Sequence, residues 1–113
     1  MKIYGVRVWV DDMDVARGFY GGTLSLASTW DFGDAVGYDL GPTLIVERDD
    51  GSHEDGLKGR FVGLSLSVED IEATYADLIA KGVEFLGPPE KMPWGGTLAH
   101  FKDPAGNILT LIA

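Results

Sequence analysis

The stretch Gly5-Val6-Arg7-Val8-Trp9-Val10-Asp11-Asp12-Met13 decides the fold, because its pattern returns 58 residues later as Gly63-Leu64-Ser65-Leu66-Ser67-Val68-Glu69-Asp70-Ile71. In the first copy Val6, Val8 and Val10 fall on one face, and Gly5, Arg7 and Trp9 on the other. In the second, Leu64, Leu66 and Val68 oppose Gly63, Ser65 and Ser67. Alternation of this kind is the period of a strand with one buried side. The acidic pair that closes each stretch suits a helix N-terminus, where a carboxylate accepts from unpaired backbone N–H groups.

Working outward, each copy continues in the same order. After the first, Met13, Ala16, Phe19 and Tyr20 recur at helical spacing until Gly21-Gly22. Three strands are expected next, at Leu26 to Phe32, Ala35 to Leu40 and Thr43 to Arg48, the first two joined by a turn at Gly33-Asp34. After the second copy, Ile71, Thr74, Tyr75, Leu78 and Ile79 form the apolar stripe of a helix over Glu69–Lys81, closed by Gly82. Strands are expected at Val83 to Leu86, Thr97 to Lys102 and Asn107 to Ile112. A Pro/Gly loop, Pro88 to Gly96, precedes the last two, and the turn Asp103-Pro104-Ala105-Gly106 joins them. The expected fold class is therefore α+β: two βαβββ units with eight strands, mixed or antiparallel. One unit leaves an apolar sheet face uncovered, so two must pair within a chain or across chains.

The chain has 113 residues, enough for one domain built of unit one (about 1–50), an acidic loop (49–60) and unit two (about 61–113). Acidic residues outnumber basic ones 18 to 9, for a formal charge of −9. That balance excludes a nucleic-acid binder, which needs a basic face, and gives no attraction to anionic lipid. Cysteine is absent, so disulfides, thiolate metal sites and Cys nucleophiles are excluded. No apolar run reaches membrane-spanning length and the first residues alternate, so a cytoplasmic protein is expected.

Val10-Asp11-Asp12, Phe19-Tyr20, then Leu24 and Leu26 resemble the opening of vicinal oxygen chelate proteins: glyoxalase I, the bleomycin- and fosfomycin-resistance proteins and the extradiol dioxygenases. Val68-Glu69-Asp70-Ile71 is similar to the start of their second unit, and Phe101-Lys102-Asp103-Pro104-Ala105-Gly106-Asn107 to their closing hairpin. The resemblance implies curled sheets around a cleft, often in a dimer. In metal-dependent members the ligands are His, Glu or Gln. The positions that the resemblance assigns to them are Gly5, Ile45, Gly63 and Thr110, none of which offers an imidazole or carboxylate. No metal and no cofactor are expected.

What remains points to ligand binding. Opposite the valines, Arg7 and Trp9 are expected to face the cleft, with room left at Gly5 and Gly63 and with Ser65 and Ser67 on the equivalent face. Trp30, Phe32 and Tyr38 lie on hairpin strands and Trp94 in the Pro/Gly loop, and flat side chains of this kind stack on planar ligands. Each has a second reading, as core, hairpin packing or loop anchor. Arg7 needs a carboxylate, Glu47 or Asp39, or else serves as an anion anchor. His53 is expected in solvent. His100 and Glu47 are the acid–base candidates, with exposed strand positions as the alternative. The expected function, on the pattern of drug-sequestering proteins such as those for bleomycin, is metal-independent binding of a small planar organic molecule, an antibiotic or a metabolite, by a homodimer. The alternatives are a lyase, isomerase or hydrolase using Arg7, Glu47 or His100, and a sensing or partner-binding module.

Overall fold

The computed structural model describes residues 1–53 and 56–113; Glu54 and Asp55 of the expected acidic loop lie outside them. The chain divides into two compact units, Met1–Gly59 and Arg60–Ala113.

In the first unit, β1 (Gly5–Val10) leads into α1 (Met13–Arg17), then β2 (Ser28–Asp31), β3 (Ala35–Asp39) and β4 (Thr43–Arg48). The sheet order is β1-β4-β3-β2, with β1 parallel to β4 and the other pairs antiparallel. Asp12 caps α1 by accepting from the Val15 N–H at 3.1 Å. The helix does not stop at Gly21-Gly22 as the spacing implies. It widens into a π-helical stretch, Gly18–Thr23, where the consecutive rings of Phe19 and Tyr20 are both buried. Val8, Val10, Val36, Tyr38, Leu44 and Val46 form the buried side of the sheet, with Met13, Ala16, Phe19 and Tyr20 completing the core.

The second unit repeats the plan. β5 (Phe61–Ser67) leads into α2 (Ile71–Ala80), followed by β6 (Glu84–Phe85), β7 (Glu90–Lys91), β8 (Thr97–Lys102) and β9 (Ile108–Ile112). Its order is β5-β9-β8-β6, with β7 pairing β8 and β5 parallel to β9. Asp70, the counterpart of Asp12, caps α2 through the Ala73 N–H at 3.0 Å. β7 lies in the segment expected to be an irregular loop, so the described residues form nine strands rather than eight. The β8–β9 turn is held from inside. Asp103 accepts from the Ala105 and Asn107 N–H groups at 2.9 and 2.8 Å and from Asn107 Nδ2 at 2.9 Å, and both side chains are buried. No helix among the described residues is long and apolar enough to cross a membrane.

Candidate functional site

The faces turned away from the buried cores carry the candidate residues, and strand register sets which of them are neighbours. In the first unit Trp30 pairs with Gly37, Gly37 with Ile45, and Ile45 with Arg7. Directly opposite residues share a face, so these four form one row across the sheet. The Trp30 indole lies flat over Gly37. A Cβ on Gly37 would fall 2.8 Å from Trp30 Cζ2 and closer still to Cε2 and Nε1, so only glycine leaves this seat. Phe32, 80% exposed, stands 5.3 Å from the Trp30 ring between centroids. At the other end, Arg7 bonds Glu47 through Nη2 at 2.9 and 3.0 Å and through Nε at 3.3 Å. Its guanidinium lies over the Trp9 ring, 4.9 Å from the centroid. Arg7 Nη1 has no protein partner among the described residues and remains available to an acceptor.

Three expectations about this face need correction. Tyr38 does not belong to it. It pairs with Leu44, is only 2% exposed, and lies against Tyr20 at 5.9 Å, because the alternation of β3 puts it on the core side. Burial pushes its phenol pKa up. Gly5 leaves no room for a ligand either. A Cβ there would meet the Thr43 carbonyl oxygen at 2.6 Å and Ile45 Cδ1 at 3.2 Å, so glycine serves the close approach of β1 and β4. Glu47, expected as a possible base, gives both oxygens to Arg7 instead.

In the second unit the corresponding row is Ser65, Thr110 and His100, paired across β5, β9 and β8. His100 Nδ1 and Thr110 Oγ1 are 2.8 Å apart. Phe61, 61% exposed, meets the imidazole edge-on at 5.5 Å. Sequence reading singled out neither Phe61 nor the Thr110 partnership, yet the turn between Lys102 and Ile108 carries the signal: counting back from it places His100 opposite Thr110. Gly63 sits at φ +73° where β5 shifts register, with nothing within 4 Å of an added Cβ. Where the chain leaves β8 between β6 and β7, a hollow of about 150 Å³ is lined by Leu86, Pro88, Glu90, Met92, Leu98 and His100, among others. Trp94 is 62% exposed and its ring lies over Gly96.

A metal centre of the kind the family resemblance implies does not fit these residues. Gly5 has no space for a side chain, Ile45 is hydrocarbon, Gly63 has no side chain, and the Thr110 hydroxyl is engaged by His100. Elsewhere, Asp49, Asp50 and the exposed His53 bring ligand atoms within 4.8 Å of one another. There Asp49 and Asp50 already accept from the Gly51 and Ser52 N–H groups, each at 2.9 Å.

Two units of parallel-edged mixed sheet, each with a capped helix after its first strand, define an α+β protein of the two-unit βαβββ type. The chain belongs to the Glyoxalase/Bleomycin resistance protein/Dioxygenase superfamily, whose family model matches residues 2–111. It is 30% identical to protein YraH of Bacillus subtilis (strain 168), covering 98% of this chain and 97% of that one. A superfamily member from Sphaerobacter thermophilus DSM 20745 has a similar structure, with TM-score 0.83 and 32% identity over 99% of this chain and 96% of that one. Lactoylglutathione lyase from Agrobacterium tumefaciens shares the fold at TM-score 0.75 and 20% identity, over 98% and 92% of the two chains.

Proposed function

We propose that the exposed face of the first sheet binds a small planar organic molecule, an antibiotic or metabolite, without a metal ion. The observation that carries this reading is the row Trp30–Gly37–Ile45–Arg7: an indole laid flat on glycine backbone, an aliphatic floor, and a guanidinium with one free edge. Stacking on an aromatic face contributes about 0.5–1.5 kcal/mol beyond area burial. The free Arg7 Nη1 suits a carbonyl or carboxylate oxygen at the far end of the ligand. Glu47 holds the guanidinium in place and offsets its charge, so the ligand is aligned rather than merely attracted. The same pairing speaks against catalysis on this face, since it removes the carboxylate that acid–base chemistry would use.

A homodimer forms part of this reading. Met1, Ile3, Tyr4 and Phe32 stand exposed on the first unit, apolar surface that a second copy would cover. Sedimentation returning 12.2 kDa at micromolar concentration would remove that part alone.

The test uses quinoline-2-carboxylate and quinoline. The carboxylate is expected to quench tryptophan fluorescence saturably. Trp30→Ala should weaken both compounds, and Arg7→Met should weaken the carboxylate while sparing quinoline. Equal binding by wild type and Trp30→Ala overturns the reading.

A further inference from the structure

We propose that His100, fixed by Thr110, is the hydrogen-bond donor of a second binding site, on the second unit, for an uncharged carbonyl compound about one ring in size. Thr110 is 3% exposed, and His100 is the sole hydrogen-bond partner of its hydroxyl among the described residues. If Nδ1 carried the proton, it would donate to Thr110 Oγ1, and the hydroxyl hydrogen would be left buried without an acceptor, which is costly. The pair is satisfied when Thr110 donates to Nδ1. The neutral imidazole then carries its hydrogen on Nε2.

Nε2 has no protein partner among the described residues. No buried side-chain nitrogen or oxygen among them lacks one, so Nε2 is not wholly buried. The ring is therefore held at Nδ1 by Thr110, flanked by Phe61, and left with one accessible N–H donor. His100 also borders the hollow of about 150 Å³, a volume comparable to one aromatic ring, whose other walls include Leu86, Pro88, Met92 and Leu98.

Charge selects the ligand class. Glu90 stands at the hollow and disfavours a carboxylate. Lys102, two residues from His100 on the same strand face, lies 3.7 Å from Glu84, and the two charges offset each other. A neutral carbonyl oxygen on a small apolar body meets these conditions: its oxygen accepts from Nε2 and its ring fills the hollow.

The experiment is NMR on the full chain with 15N-labelled histidine and 13C-methyl methionine. Long-range 1H–15N spectra should show His100 as the Nε2–H tautomer, with His53 as internal reference. Benzamide should shift His100 Nε2 and the Met92 methyl saturably, with Kd in the millimolar range. Benzoate should bind several-fold more weakly, and toluene should move Met92 but not Nε2. Thr110→Val should abolish the tautomer preference and weaken benzamide several-fold, and Thr110→Ser should restore both. Trp30→Ala should leave benzamide binding at His100 unchanged, which separates this site from the one on the first unit. An Nδ1–H tautomer in the wild type overturns the proposal, as does benzamide moving His53 as much as His100.

Discussion

Replacing Gly37 by alanine tests the seat on which the stacking platform depends. An added Cβ would stand 2.8 Å from Trp30 Cζ2 and nearer to Cε2 and Nε1, whereas carbon atoms in contact settle at about 3.5–4.0 Å. The indole must therefore lift by roughly 1 Å or rotate away. Overpacking of this kind costs about 1–3 kcal/mol. Trp30 is only half-buried and has space to move, which sets the cost toward the lower end. Alanine recovers about 0.5–1 kcal/mol by restricting the unfolded chain relative to glycine. The net expectation is a loss of roughly 0.5–2 kcal/mol, a fall in Tm of about 3–10 °C. Urea unfolding of protein labelled with 5-fluorotryptophan measures the stability loss and the displacement of the indole together, because 19F NMR resolves the three tryptophans separately. The Trp30 resonance should move while those of Trp9 and Trp94 hold, and quinoline binding should weaken. Wild-type stability together with an unmoved Trp30 signal would refute the account of Gly37 as the indole's seat.

Asp103→Ala should destabilise the protein by about 3 kcal/mol, since it removes the buried carboxylate that accepts from the Asn107 amide and from two turn N–H groups; a loss under 1 kcal/mol in denaturant melts would count against this. Gly63→Ala should cost about 1–2 kcal/mol from backbone strain alone, because φ is +73° and no atom lies within 4 Å of the new methyl; a thermal melt matching wild type would show that the register shift tolerates a side chain. Arg17 and the Gly33 N–H hydrogen-bond the Asp31 carboxylate and lower its pKa from 3.8 to about 2. A depressed native pKa stabilises fully above the unfolded value near 3.8 and is lost as pH falls toward 2. Arg17→Met should therefore raise the Asp31 midpoint in a 13C carboxyl titration and flatten the loss of stability between pH 4 and 2; an unchanged midpoint would assign the shift to Gly33 instead.

The sequence by itself determined the repeat, the strand faces and the helix caps. These are local properties: alternation puts Val8 and Val10 inside and Arg7 outside, and Asp12 and Asp70 each reach an N–H three residues on. It also determined that Gly5, Ile45, Gly63 and Thr110 bring no imidazole or carboxylate. Only the tertiary structure decided which residues on a face become neighbours. Tyr38 looked like a platform residue, but it shares its face of β3 with Val36, and the packing of Tyr20 against that face, 5.9 Å from Tyr38 between ring centroids, makes it the core side. Gly5 and Gly63 looked alike as empty positions, yet one is closed by the Thr43 carbonyl and the other is an open bulge at positive φ. Glycine serves close approach and unusual dihedrals equally well, and one-dimensional spacing does not tell them apart. The contacts of Trp30 with Gly37 and of His100 with Thr110 join different strands. Such contacts exist only once hydrogen-bonded register has been fixed, so they belong to the fold rather than to any stretch of chain.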